Sequence, residues 1–180
     1  MEVTLYSGRP AEMRTPEEDR VYDHLDSIGI GYTRADHAPA MTMEDCLQVD
    51  EILDVVMCKN LFLCNRQKTS FYLLLIPGDK PFRTKEFSAA LGISRVSFAG
   101  EEDMVRLLGL KPGSVSPMGL INDGEGDVTL VIDKDVIKSD YLGCHPCVNT
   151  SSVKISTSDF LEKFIPSVKH TPVYVELAGE

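Results

Sequence analysis

Lys59-Asn60-Leu61-Phe62-Leu63-Cys64, polar Asn65-Arg66-Gln67-Lys68-Thr69 and Ser70-Phe71-Tyr72-Leu73-Leu74-Leu75-Ile76 form the stretch whose reading decides the fold. Two apolar runs of strand length flank a short polar segment, which is the pattern of a β-hairpin. Upstream, Thr15-Pro16-Glu17-Glu18 predicts a helix start, with Thr15 as N-cap, Pro16 in the first turn and Glu18 closing a capping box. Val21, Leu25 and Ile28 share one helical face before Gly29 and Gly31 stop the helix. Residues 31–37 read as a short strand, and Thr42 caps a second helix from residue 43 to about 49. Residues 50–58 fit neither periodicity.

Downstream of the hairpin, Thr84 caps a helix over residues 85–91 and residues 95–98 read as a strand. Glu101–Leu108 reads as a helix with acidic residues in its first turn, where the helix dipole favours them. Val128–Asp133 alternates as a strand, and residues 153–156 read as another. Thr157 or Ser158 caps a helix through residue 164, and residues 171–177 close the chain as a strand. Strands and helices are interspersed around one hairpin, so the expected class is α+β (mixed α/β): a single domain whose mixed sheet is packed by helices. Residues 1–14 read as a flexible arm ahead of a domain over 15–178, and no segment reads as a domain linker.

The chain has 180 residues, with 43% hydrophobic and 26% charged, which is ordinary globular composition and enough for a substantial core. No run approaches the length of a transmembrane helix, and Met1-Glu2-Val3-Thr4-Leu5 lacks the basic-then-apolar pattern of a signal peptide. The expectation is a cytoplasmic protein without a membrane partner. Five cysteines without a disulfide-rich spacing agree with a reducing compartment. The net charge of −10 argues against broad nucleic-acid binding, yet it is unevenly placed. Seven basic residues (Lys59, Arg66, Lys68, Lys80, Arg83, Lys85 and Arg95) stand against Asp79 and Glu86 alone between positions 58 and 95. Such a sector on an acidic body can dock a short stretch of RNA, or it can be a set of solvated loop lysines.

Three segments carry candidate chemistry. Lys59, at the mouth of an apolar strand, can hold a phosphate or carboxylate as a point charge, or simply end the strand in solvent. Gly113-Ser114-Val115-Ser116-Pro117, followed by Met118-Gly119-Leu120-Ile121-Asn122-Asp123, is an ordinary turn or a loop that offers N–H and hydroxyl groups to a small polar ligand. His145, behind Gly143, is an acid–base candidate or a structural histidine. Cys144 and Cys147 make a C-x-x-C, but no helical pattern follows it. A zinc site would need two more ligands, and Cys46, Cys58, Cys64 and His170 form no second close pair, so no metal is expected. No Ser–His–Asp order or carboxylate pair is legible, which leaves water as the expected nucleophile.

Taken in order, Lys59-Asn60-Leu61-Phe62-Leu63, the 113–123 run and His145-Pro146-Cys147-Val148-Asn149-Thr150 resemble the motifs of the YbaK-like aminoacyl-tRNA editing family, in its free-standing prolyl-tRNA editing branch. The resemblance implies a mixed, largely antiparallel sheet or partial barrel surrounded by helices. It implies a hydrolase that removes misattached alanine from proline tRNA, without a cofactor, in partnership with that tRNA and with prolyl-tRNA synthetase. It places Lys59 near the terminal adenosine, Asn60 on the substrate, and Gly143 and His145 around a pocket for a small amino acid. It assigns Gly113, Ser114, Val115, Ser116 and Pro117 to a loop whose N–H groups face the ester or its oxyanion. It assigns Met41, Met43 and Leu47 to the amino-acid pocket, where Met41-Thr42-Met43 departs from the family's Phe-Thr-Val. Two other readings stand beside it: a non-catalytic module that recognises tRNA or a synthetase, and a thiol redox protein using Cys144 and Cys147.

Overall fold

The computed structural model describes residues 1–55 and 58–180. The expected hairpin is present as β3 (Cys58–Cys64) and β4 (Phe71–Pro77), antiparallel with Leu61 opposite Leu74. Asn65 closes its turn, its Oδ1 accepting from the Thr69 and Ser70 N–H groups at 2.8 and 3.1 Å. Two strands precede the hairpin in the chain, β1 (Val3–Ser7) and β2 (Thr33–His37).

Strand β4 pairs in parallel with β6 (Val128–Asp133), and β6 in parallel with β9 (Val173–Val175). The two-residue β5 (Ser97–Phe98) borders β3, giving a five-stranded mixed sheet in the order β5-β3-β4-β6-β9. A second, wholly antiparallel sheet runs β1-β2-β8-β7, with β7 at Tyr141–Cys144 and β8 at Ser151–Ser156. The expected class stands: among the described residues there are two open sheets and no closed barrel.

Period-2 alternation splits the core. Phe71, Leu73 and Leu75 of β4, with Phe62 of β3 and Leu130 and Ile132 of β6, face a large cluster that also holds Val21, Tyr22 and Leu25 of α1 (Pro16–Ser27). Leu74 and Ile76, with Leu63 and Val131, face the other way and bury Phe87 of α3 (Thr84–Leu91). The five-stranded sheet is thus covered on both faces, which explains why β4 reads as a nearly continuous apolar run. Each fully buried Leu or Phe contributes roughly 1.5–3 kcal/mol over exposure.

Several boundaries differ from the sequence reading. The arm expected over residues 1–14 carries β1, paired with β2 in the register Val3 to His37. Helix α2 runs Met43–Leu53, past the expected end near 49, on a capping box between Thr42 and Asp45. It accounts for part of the unassigned 50–58 segment, of which residues 56 and 57 lie outside those described. Helix α4 occupies Glu101–Leu108 as expected. Pro117–Asn122 is a 3₁₀ helix, packed so closely that a Cβ on Gly119 would lie 2.7 Å from Leu110 Cδ1. The last helical stretch, 157–167, is capped by Ser156, and its middle is π-wound. Among the described residues no helix is long and apolar enough to cross a membrane.

Asp123 ties three of these segments together. Its buried carboxylate accepts from the Asp127 and Val128 N–H groups, both at 2.9 Å, and meets His170 Nε2 at 2.8 Å. Asp123→Ala removes the acceptor of the buried Val128 N–H and of the Asp127 N–H and strands His170, a loss of about 3 kcal/mol. For a domain of this size the expected fall in Tm is roughly 6–12 °C, read by calorimetry, with no change in secondary-structure content at 25 °C.

Candidate active site

The two sheets meet where the start of β3 lies beside the end of β7, and α2 closes the gap above them. The result is a pocket of about 200 Å³ lined by Cys58, Lys59 and Asn60 of β3, Gly143, Cys144 and His145 at the end of β7, His37 of β2, Ser152 of β8 and one face of α2. Helix geometry explains that face: at about 100° per residue, Met43, Cys46 and Asp50 fall within about 60° of one another. Gly143 sits where β7 passes α2, and a Cβ there would lie 2.9 Å from Val55 Cγ2.

His145 is held as a neutral ring of defined tautomer. Its Nδ1–H donates to the Ser151 carbonyl at 2.9 Å, which leaves Nε2 with the lone pair. Burial pushes its pKa below the ordinary histidine value, and neighbouring His37 adds to the shift, against the Ser151 hydrogen bond. His37 donates from Nδ1 to the Ala38 carbonyl at 2.8 Å, so its Nε2 accepts from Ser152 Oγ at 3.0 Å. The same hydroxyl lies 3.4 Å from His145 Nδ1, and the two rings are 6.3 Å apart. Ser152 therefore sits between two imidazoles and fixes both.

Lys59 stands at the edge between this pocket and a second, open groove of about 560 Å³. Its Nζ donates to the Lys80 carbonyl at 2.6 Å. Lys80 is itself anchored, its ammonium reaching Asp133, Asp135 and the Leu177 carbonyl at 2.7–2.8 Å. The groove beyond Lys59 is lined by Arg83, Lys85, Arg95, Phe82 and Phe98.

Of the residues singled out in the sequence, Lys59, Asn60, Met43, Gly143 and His145 come together here. The 113–117 loop reaches the pocket only indirectly. Ser116 is fully buried; its hydroxyl accepts from the Met118 N–H at 3.1 Å and donates to the His145 carbonyl at 2.6 Å, so it supports His145 from behind. Pro117 packs beneath Asn60 and Gly143. Gly113, at φ +86°, makes a turn beside Asn149, and the Ser114 N–H is spent on the Lys111 carbonyl. Ser114 lines a different groove with Asn149, and Val115 packs against the main core. Gly113, Ser114 and Val115 thus do not line this pocket, where the resemblance placed them. Met41 and Leu47 are likewise outside the lining: Met41 precedes the helix and is 78% exposed, and Leu47 is 57% exposed.

His37, Asp50 and Ser152 were missed. His37 and Ser152 are polar ends of strands, a pattern shared with ordinary surface positions, and Asp50 sits in the unassigned segment. Its one sequence signal is the seven-residue spacing from Met43. Burial pushes the thiols of Cys144 and Cys147 up to about 12, the reverse of the lowered thiol that a redox C-x-x-C uses. Among the described residues no three His, Cys, Asp or Glu side chains gather as a metal site.

The family model for the aminoacyl-tRNA editing domain matches residues 37–163, from the pocket's first histidine through β8 and into the last helical stretch. The prolyl-tRNA editing protein ProX of Acetoanaerobium sticklandii is 33% identical over 154 residues, covering 85% of this chain and 93% of that relative. The prolyl-tRNA synthetase associated domain-containing protein 1 of Danio rerio is 30% identical over 166 residues, covering 91% of this chain and 87% of that relative. A solved structure described as a candidate trans-editing enzyme for prolyl tRNA synthetase shares the fold at TM-score 0.68 and 14% identity, over 91% of this chain and 99% of that one. The chain belongs to the aminoacyl-tRNA editing domain family, and is by that membership an aminoacyl-tRNA hydrolase.

Proposed function

We propose that this hydrolase acts on mischarged proline tRNA and removes alanine. The observation that supports the reading most directly is the junction at Lys59, where a small pocket opens into a basic groove with an aromatic floor. Phe98 is 61% exposed and stands edge-on to Phe82, among Arg83, Lys85 and Arg95. Aromatic faces stack bases and the cations follow phosphates, which suits a single-stranded 3′ end. The terminal ribose then lies at Lys59 and the esterified amino acid enters the pocket. The names of the Acetoanaerobium sticklandii and Danio rerio relatives support the proline assignment.

Alanine follows from size. A synthetase pocket built for proline admits the smaller alanine, so a second, smaller sieve is needed to remove it. The apolar wall of Ala40, Met43 and Val49 in a pocket of about 200 Å³ suits a small side chain. The attacking group is water, or water assisted by the ribose 2′-hydroxyl, and neutral His145 accepts its proton through Nε2. Lys59 holds the substrate's terminal nucleotide, and Asn60 faces its aminoacyl part.

Purified protein is expected to deacylate alanyl-tRNA(Pro) and to spare prolyl-tRNA(Pro) by at least about a hundredfold in kcat/KM. Equal rates on the two esters would refute the amino-acid assignment, and no hydrolysis of either would favour a tRNA-binding module without activity.

Lys59→Ala should lower kcat/KM by at least tenfold, about 1.4 kcal/mol of transition-state stabilisation, in a folded protein. Arg83→Ala with Lys85→Ala should instead raise KM and make the slope of log KM against log salt shallower by roughly 1.4, since each neutralised phosphate of a single strand contributes about 0.7. Unchanged salt dependence would remove the groove from the binding path.

His145 supplies a base only while neutral, and its pKa lies below the ordinary value, so activity should be flat above about pH 7 and fall only under about 6.5. Rates corrected for spontaneous ester hydrolysis test this. His145→Ala should lose on the order of a hundredfold and the acid limb together. A rate that keeps rising to pH 9 would assign the proton acceptor elsewhere.

A further inference from the structure

Two buried side-chain oxygens find no hydrogen-bond partner among the described residues, and both belong to residues of the pocket: Asp50 Oδ2 and Asn60 Oδ1. Asp50 comes from the last turns of α2 and Asn60 from β3, so they approach the cavity from different walls. A buried polar atom without a partner is unfavourable, and an unpaired carboxylate more so. Among the described residues nothing nearby offsets it. Lys59 is turned to the Lys80 carbonyl. Cys46 and Cys58 stay as thiols, their pKa values raised first by burial and further by the negative charge of Asp50 itself. Burial likewise pushes the Asp50 carboxyl up to about 6, as for a carboxylate that lacks a cation. The neighbouring His37 and His145 rings each turn Nδ1 to a backbone carbonyl.

The cavity therefore presents a negative charge and a neutral acceptor, and what completes it is a small cation bearing several N–H groups. We propose that Asp50 and Asn60 bind the α-ammonium of the aminoacyl ester. The inference rests on the deacylase reading above and deepens it. Asp50 supplies the charge and Asn60 the second acceptor. Anchoring the nitrogen fixes the α-carbon, and through it the ester carbonyl, within the cavity that His145 lines. Asp50 is on this account a positioning and specificity-determining residue, since every unblocked aminoacyl ester carries the group it reads and an N-acylated ester does not.

The test compares alanyl-tRNA(Pro) with N-acetyl-alanyl-tRNA(Pro) in deacylation. In parallel it compares binding of 3′-alanylamido-3′-deoxyadenosine, whose amide resists hydrolysis, with its N-acetyl form by calorimetry. Wild-type protein should favour the free amine by at least about tenfold in both assays. Asp50→Asn should lose at least about tenfold on the free-amine compounds and leave the N-acetyl compounds unchanged, so the preference falls to near one. The variant should also melt at or above the wild-type temperature at pH 7, because it removes a buried unpaired charge. An equal fall on both forms in a folded variant would overturn the proposal and make Asp50 a scaffold residue or a base. A wild-type protein that hydrolyses alanyl-tRNA(Pro) without regard to acetylation would overturn this inference alone. One that neither hydrolyses the esters nor binds either analogue would overturn the deacylase reading, and this inference with it.

Discussion

The constellation of His37, Ser152 and His145 depends on the register between β2 and β8, and an ion network on the opposite face of that pair fixes it. Asp36 lies opposite Ser151 across the strands and accepts its hydroxyl proton at 2.8 Å. Arg14 reaches the two carboxylate oxygens of Asp36 at 3.0 and 2.8 Å and Ser151 Oγ at 3.2 Å, and Arg34 Nε adds a contact at 3.0 Å. One residue further along each strand, and on the other face, Ser152 meets His37. A slip of one residue would exchange the two faces and place the imidazole and hydroxyl among the arginines. Burial alone would raise the Asp36 carboxyl, but hydrogen bonds from Arg14, Ser151 and Arg34 outweigh it and hold it at about 2. With the folded pKa depressed, the stability this group contributes is present above the ordinary carboxylate range and is lost only as pH falls toward 2.

Charge in this molecule divides by task. Of the basic sector between positions 58 and 95, Lys80 is committed to Asp133 and Asp135, and its carbonyl in turn holds the Lys59 ammonium at the mouth of the pocket. Arg66 and Lys68 belong to the exposed β3–β4 turn. Only Lys59, Arg83, Lys85 and Arg95 line one groove. A local row of cations beside an acidic body favours a polyanion at one place and disfavours it elsewhere, which suits an enzyme that must release most tRNA it meets.

The hairpin, α1, α4 and β6 were legible because each has a long apolar period and a capping or turn signal of its own. What escaped the sequence lacked a local signal. Strand β7 is four residues long and contains Gly143, and the arm's strand β1 buries little, its side chains being mostly exposed. The 113–123 run was read as a ligand-facing loop because glycine, serine and proline suit such a loop, yet here they serve closure. Gly113 turns the chain, Ser116 braces the His145 carbonyl, and Asn122 Nδ2 caps the Leu108 carbonyl at 2.9 Å. Composition alone does not distinguish a loop that touches a ligand from one that holds the residue that does. His37 and Ser152 come from strands 115 positions apart in the chain, and only the pairing of β2 with β8 brings them together.

The polar floor of the pocket adds a second criterion to size. Alanine presents a primary ammonium with three N–H donors, whereas esterified proline presents a secondary ammonium with two, its ring carbon occupying the third direction. A site that binds the nitrogen through acceptors on two walls meets the ring as well as the missing donor when proline enters. Steric exclusion across one or two methylenes yields only about 1–3 kcal/mol, but leaving a buried acceptor unpaired adds a penalty of similar size. On the proposed reading, Asp50 and Asn60 extend the sieve beyond what an apolar wall of Ala40, Met43 and Val49 achieves alone. Their lack of partners among the described residues is a stability cost borne at the place where, on that reading, recognition needs it.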